Sequence, residues 1–333
     1  MSRFWVGIDV SKRKLDVAVL DERNKIKSRV VPNDVAGRAL LLKWLTERGA
    51  TPGNTHVCME STGPYSEAAA LAFWDASWKV SVVNPAQPKR YAESLLLRNK
   101  TDSTDASMLA RYCAERTPEL WVAPSFAHRK LRALVDRLQA LNDMRQQELN
   151  RLEGQEDPAD SAHKSIVGHV SWLEARIVEL EKEIKDHIDD DENKDTLKKD
   201  VDLIVSIPGL GKATAAKLMA YLGDLRRFTS GKALAAFIGV TPQRVESGTS
   251  VRGQSKISRI GHAYVRQALF MPALVACRHN PVIKAFRDRM VAAGKPKKSA
   301  AIAAMHKLVH IIYAVVRSGE AFDPNYRNQP AGA

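Results

Sequence analysis

The chain is poor in the features that staple or anchor a protein. Its three cysteines, Cys58, Cys113 and Cys277, are far apart and odd in number. That speaks against a disulfide framework or a zinc site and makes a reducing cytoplasm the natural setting. No apolar run is long and unbroken. The nearest, Ala300 to Val316, is interrupted by His306, Lys307 and His310, so it reads as a buried helix rather than a membrane span. The opening MSRFWVGIDVSKRK meets charge too early for a signal peptide. Acidic residues are also in deficit: 38 Asp and Glu face 51 Lys and Arg, a formal net charge of +13. Such a balance favours a polyanionic partner, nucleic acid first, although a ribosomal or membrane-surface protein shares it.

What is present is enough for two or three domains: 333 residues, 44% of them hydrophobic. The charge is uneven. Arg244 to Lys298 holds 12 basic and 2 acidic residues, a net of +10, whereas Glu153 to Asp200 holds 7 and 15, a net of −8. The nucleic-acid footprint is therefore expected to include the C-terminal part. The run Asp189-Asp190-Asp191-Glu192 lacks the glycine and ligand spacing of a calcium loop and reads as a solvated linker.

Periodicity gives strands at Phe4 to Val10, Leu15 to Leu20 and Lys25 to Val31, a helix at Val35 to Arg48, and a strand at Thr55 to Glu60. A helix at Ser66 to Ala76, a strand at Lys79 to Val83 and a helix from Asp102 to Glu115 follow. Three strands, then helix–strand–helix–strand–helix, is the order of a ribonuclease-H-like α/β fold, a mixed sheet with helices on both faces. Beyond it, Leu131, Leu134, Leu138, Leu141 and Leu152 fall on heptad spacing, as do Leu173, Ile177, Leu180, Ile184 and His187. These predict an antiparallel hairpin or coiled-coil arm. From Asp195 onward the chain reads as helical and compact. The expected domains are 1–125, a coiled-coil middle at 126–195, and a mostly helical third domain at 196–333.

Four acidic residues stand out. Asp9 lies in the apolar strand Val6-Gly7-Ile8-Asp9-Val10, where a carboxylate is costly unless something neutralises it. Glu60 ends a strand and precedes Ser61-Thr62-Gly63, a loop able to approach phosphate. Asp102 and Asp105 are three apart at a helix start and so share a face. Taken singly, Asp102 also fits a helix cap and Glu60 a surface strand end. Together the four can surround one or two Mg²⁺ or Mn²⁺ ions, which take oxygen ligands and stabilise the oxygens of a phosphodiester in transfer.

Two further segments carry chemistry. Ser206-Ile207-Pro208-Gly209-Leu210-Gly211-Lys212 looks like a helix–hairpin–helix element, its glycines letting backbone N–H groups reach phosphate at the next helix N-terminus. An ordinary interhelical turn is the plainer alternative. The stretch Val240 to Arg259 is polar, glycine-flanked and basic. A serine hydroxyl attacks a phosphodiester only when activated and when cations hold the phosphate, and Arg244, Arg252, Lys256 and Arg259 can supply them. Chemistry alone leaves Ser247, Thr249, Ser250 and Ser255 all open, and leaves a simple phosphate-binding hairpin open as well.

The stretches GIDVSK, ESTGPY, VNPAQPKRYAES, LRNKTDSTDASMLARYC, IPGLGKATAAKLMA, GVTPQRVESGTSVRGQSKISRIGH and FRDRM occur in order from residue 7 to about 290. In these the chain resembles the DEDD-type insertion-sequence transposases, described as bridge-RNA-guided DNA recombinases, and the related Piv-type invertases. The resemblance implies a RuvC-like first domain with Asp9, Glu60, Asp102 and Asp105 as a metal-binding quartet, a coiled-coil middle, and a transposase domain whose nucleophile is Ser247. It further implies a phosphoserine link to DNA and a composite site formed by two subunits of a dimer or tetramer. A structured non-coding RNA pairing with target and donor DNA, and a bacterial, nucleoid-associated location, complete what it implies. Lys100, Gly209, Gly211, Lys212, Arg244, Arg252, Lys256 and Arg259 are the expected nucleic-acid contacts. Three other readings stand beside it: a RuvC-like junction nuclease without covalent serine chemistry, a binding protein with a structural quartet, and a protein-guided invertase that needs no RNA.

Overall fold

The computed structural model describes residues 3–94, 102–155, 157–243, 246–247, 251–252, 256–257 and 261–325. It divides into two compact units, 1–123 and 124–333.

In the first unit β1 (Phe4–Val10), β2 (Lys14–Asp21) and β3 (Ile26–Pro32) form an antiparallel meander. Then come α1 (Val35–Thr46), β4 (Thr55–Glu60), α2 (Pro64–Asp75), β5 (Lys79–Val83), α3 (Ala86–Ser94) and α4 (Asp102–Arg116). The sheet order is β3-β2-β1-β4-β5, with β4 parallel to both β1 and β5. Alternation assigns the faces. Val6, Ile8, Val10, Leu15, Val17 and Val19 pack with Leu41, Trp44 and Leu45 of α1 and Ala69, Ala70 and Phe73 of α2. The opposite face carries Ala18, Leu20 and Cys58, covered by α3 and α4. β1 is thus buried on both faces, which is why its apolar residues do not alternate with polar ones. The mixed sheet with helices on both sides agrees with the reading of the sequence. Helix α3 was not foreseen. Only its Pro88 and Tyr91 are buried, too few apolar residues to mark a helical stripe.

In the second unit α5 (Phe126–Leu152) and α6 (Ser161–Asp189) pack as the expected antiparallel hairpin. Leu138 and Leu141 meet Leu173, Ile177 and Leu180, and near the far end His169 Nδ1 lies 3.1 Å from Glu148 Oε1. The acidic run is more ordered than a bare linker: Asp190 accepts a hydrogen bond from the Glu192 N–H at 3.1 Å, starting a 3₁₀ turn at Asp191–Asn193. A π-helical turn at Lys194–Lys198 follows. Then come α7 (Lys199–Val205), α8 (Lys212–Leu222), a 3₁₀ turn at Leu225–Arg227 and α9 (Gly231–Ile238). Four two-residue strands precede α10 (Ala263–His279), α11 (Pro281–Ala292) and α12 (Lys297–Ser318). The inner ends of α5 and α6 share one core with these helices, where Leu131 and Val135 join Ile184 and Ile188. Among the described residues α12 alone is long and apolar enough to cross a membrane, but Ala304, Leu308, Val309, Ile312 and Val316 are buried in that core.

Candidate active site

Asp9 sits one residue from the C-terminal end of β1, and Glu60 at the end of β4. The parallel register that pairs Ile8 with Met59 sets Asp9 level with Glu60 on one face. Both residues are partly buried. Their face is the one that α4 covers, and the packing fixes the direction of α4. Its early residue Ala106 and its middle residue Ala110 lie over Gly7, where an added Cβ would stand 2.1 Å from Ala106 O and 2.3 Å from Ala110 N. Its late residue Ala114 packs with the group that holds Leu20, the β2 partner of Trp5. Passing from Ala106 to Ala114 therefore moves back along β1, so α4 runs antiparallel to the strand. Its N-terminal turn, with Asp102 and the partly buried Asp105, is carried toward the strand end where Asp9 stands.

The absent side chain at Gly7 is what allows this approach, since any Cβ would collide with helix backbone rather than with a flexible tip. After Glu60, Ser61 N–H bonds to Val83 O at 3.0 Å. Ser66 Oγ accepts from Thr62 N–H at 2.9 Å and donates to Gly63 O at 3.0 Å, so the loop is tied to α2. Among the described residues no three His, Cys, Asp or Glu side chains converge tightly enough to hold a metal ion. The Asp102 carboxylate lies outside the described side chains. The donor set is all oxygen and so fits Mg²⁺ or Mn²⁺ in kind.

A further carboxylate, not singled out from the sequence, lies on the same sheet face. Asp16 of β2 is directly opposite Asp9 in the antiparallel register, so it shares that face, and it is 5% exposed. Its Oδ2 lies 3.0 Å from Lys14 Nζ, within ion-pair range, but out of hydrogen-bond geometry, and the oxygen has no hydrogen-bond partner. The signal was present in KLDVAVLD, a charged residue in an apolar run like that of β1, but only strand register reveals its partner.

The serine segment is a thin hairpin. β6 (Pro242–Gln243) pairs with β9 (Lys256–Ile257), and β7 (Glu246–Ser247) pairs with β8 (Val251–Arg252). Ser247 is on the last described rung, opposite Val251, and Arg252 is opposite Glu246. Lys100, Arg244, Thr249, Ser250, Ser255 and Arg259 lie outside the described residues. The base of the hairpin is pinned. Gly261, at φ 151°, lies where a Cβ would be 2.5 Å from Phe237 O and 2.6 Å from Gly239 N. His262 N–H donates to Phe237 O at 2.9 Å and Arg266 Nη1 to Ile238 O at 3.1 Å. The His262 ring packs with Tyr221 and Phe237, and burial, then the Arg132 charge, lower its pKa. Gly261 and His262 end the stretch GVTPQRVESGTSVRGQSKISRIGH, but their anchoring role was not foreseen.

In the turn before α8, Gly209 has φ 104° and a Cβ there would stand 2.7 Å from Ala276 N. Close packing on α10 therefore explains this glycine without a phosphate. Gly211 is different. It is the N-cap of α8, provides no side-chain cap, and has open space where a Cβ would stand. Lys212 follows it and lines a cleft of about 320 Å³ with Lys185, Lys217, Val135, Ile184 and Ile188.

Residues 6–155 match a DEDD transposase model of the IS110 group, and residues 201–288 match the model described as Transposase IS116/IS110/IS902 family. The pilin gene-inverting proteins of Moraxella lacunata and Moraxella bovis are each 35% identical over 326 residues, covering 97% of this chain and 98% of theirs. A 43.6 kDa protein of insertion element IS110 from Streptomyces coelicolor is 29% identical over 130 residues, covering 39% of this chain and 31% of its own length. The chain belongs to the IS110/IS116/IS902 family of DEDD transposases and is a homologue of the pilin gene-inverting proteins.

Proposed function

We propose that this protein cuts and rejoins DNA through a covalent phosphoserine link at Ser247, aided by a divalent-ion site made of Asp9, Glu60, Asp102 and Asp105. The observation that carries the reading is the antiparallel lie of α4 on β1, which brings the Asp102–Asp105 turn toward the strand ends bearing Asp9 and Glu60. Mg²⁺ or Mn²⁺ held there would polarise a phosphodiester and steady its leaving oxygen. The Ser247 oxygen forms the bond to phosphorus while a deoxyribose oxygen leaves and takes up a proton. The energy of the broken phosphodiester is then kept in the phosphoserine ester, and rejoining reverses the step with a new DNA hydroxyl. The open N-terminus of α8 at Gly211, with Lys212, supports sequence-independent phosphate contact. Arg252 and Lys256 on the pinned hairpin, with Lys100, Arg244 and Arg259, add the charge that a polyanion requires.

As an insertion-sequence transposase, the protein would act on target and donor DNA with a bridge RNA supplying sequence readout by base pairing. The relationship to pilin gene-inverting proteins along nearly the whole chain favours a second reading, site-specific DNA inversion without RNA. A discrete RNA encoded beside the reading frame and co-purifying with the protein separates the first from the second.

The covalent chemistry is tested by incubating protein with labelled DNA, resolving adducts on a denaturing gel and mapping the linked peptide by mass. Ser247→Ala should lose the adduct and keep DNA binding, and Ser250→Ala should keep most of the adduct. An adduct at Ser250 or Ser255 refutes the choice of Ser247. Recombination without any adduct refutes the mechanism.

A further inference from the structure

The serine hairpin leaves α9 at Gly239 and returns through Gly261 and His262 into α10. Whatever flanks its base therefore lies beside the strands that lead to Ser247. A row of rings flanks it. Tyr221 of α8 lies 5.2 Å from the His262 ring, and His262 lies 6.4 Å from Phe237 with the ring planes 30° apart. Each end of the row carries a guanidinium: Arg132 is 5.5 Å from the Tyr221 centroid and Arg227 is 5.2 Å from that of Phe237. The buried Phe228 backs Phe237 edge-on at 5.2 Å. Phe237 itself is 39% exposed. Burial first, and the Arg132 charge second, hold His262 below its ordinary pKa, so at neutral pH three uncharged rings stand between two cations.

A lone exposed phenylalanine needs no explanation. One set in a row of rings and bracketed by guanidinium groups has the make-up of a surface that takes nucleobases on π faces and phosphates on charge. A duplex keeps its base faces inside the stack, so only an unpaired base can use such a surface. Gln243 to Ser247 span at most about 14 Å, roughly four base steps of a DNA strand.

We propose that Tyr221, His262 and Phe237, with Arg132 and Arg227, form a stacking platform for an unpaired base of the DNA strand, a few nucleotides from the phosphate that Ser247 attacks. The place relative to the cut rests on the reading of Ser247 as nucleophile; the stacking does not. A base held there keeps the strand apart from its complement while it is linked to the protein.

The test uses full-length protein and one short labelled sequence as single-stranded DNA, as duplex and as RNA, with fluorescence anisotropy as the readout. Phe237→Leu keeps an apolar side chain and removes the π face. It should weaken binding of single-stranded DNA by on the order of tenfold and leave duplex binding as in the parent. Phe237→Trp should bind at least as tightly as the parent. In the parent, 5-iododeoxyuridine in the single strand should crosslink under ultraviolet light to Tyr221, Phe237 or His262, located by mass mapping of the linked peptide. Unchanged single-strand binding by Phe237→Leu, an equal loss on duplex, or a crosslink mapped only elsewhere overturns the platform. An effect on RNA without one on DNA overturns the choice of strand. Ser247→Ala should keep both binding and crosslink. A crosslink at the row with no adduct ever formed at Ser247 leaves the platform standing and fails the nucleophile reading, and an adduct at Ser247 with no crosslink at the row does the reverse.

Discussion

Gly7 is where the helix carrying Asp102 and Asp105 comes down on the strand carrying Asp9. Gly7→Ala places one methyl group 2.1 Å from Ala106 O and 2.3 Å from Ala110 N, against an ordinary contact of 3.4 Å or more. Both neighbours are helix backbone, so neither can swing aside, and α4 must lift from β1 by roughly 1 Å because a close-packed interior passes the strain on. Overpacking of this kind costs about 1–3 kcal/mol, which for a unit of this size lowers Tm by roughly 4 °C per kcal/mol. The effect on chemistry should be larger than the effect on folding. A displacement of about 1 Å between catalytic groups is worth on the order of 100-fold in rate. The expected result is a folded protein with a Tm reduced by roughly 4–12 °C and DNA strand exchange reduced by on the order of 100-fold, measured at a temperature where both proteins are folded. Gly53→Ala is the control, since a Cβ there meets nothing within 4 Å, and it should match the parent in both assays. A Gly7→Ala protein that melts and recombines like the parent would show that α4 does not hold the site as described. Equal loss in the Gly53 control would show that the effect is not specific to this contact.

Asp9→Asn should abolish strand exchange while leaving the fold intact, and a chelator should do the same to the parent; full activity in either case refutes the metal role. Asp200 is 3% exposed and takes two hydrogen bonds of 2.7 Å from Arg226, so Asp200→Asn should cost roughly 2–3 kcal/mol in urea unfolding, and a change below measurement error would contradict that. Burial lowers the pKa of His56, His128, His262, His306 and His310 below 6.5. The unfolded chain then binds more protons than the folded one just below that value, so their contribution is complete above about pH 6.5 and is lost as pH falls toward the folded values. Tm followed against pH should drop on acidification from neutrality, and a rise would refute the sign. Finally, α6 exposes Val167, Trp172 and Val178, at 41%, 50% and 65%, so light scattering of the complex with nucleic acid should show more than one subunit, and a monomeric active complex would rule out a role for this arm in assembly.

The strands and most helices could be read from the chain because their signals are local. The apolar runs of β1 and β2 and the heptad leucines in α5 and α6 are set by side chains a few residues apart. Asp9 was legible for the same reason, being a charge inside an apolar run. Helix α3 was not, because packing on α4 rather than an amphipathic stripe holds it, with Tyr91 against Tyr112. Gly209 was legible only as a turn, since its reason for being glycine is a helix more than sixty residues further on. The sequence by itself determined the order of the strands and of most helices, the face on which each carboxylate falls within its own strand or helix, and the basic balance of the C-terminal part. Only the tertiary structure decided that α4 runs antiparallel to β1 over Gly7, that Asp16 stands across from Asp9, and that the serine hairpin is pinned at Gly261 and His262. Those are contacts between segments distant along the chain, fixed by strand register and close packing, and no local pattern of residue types encodes them.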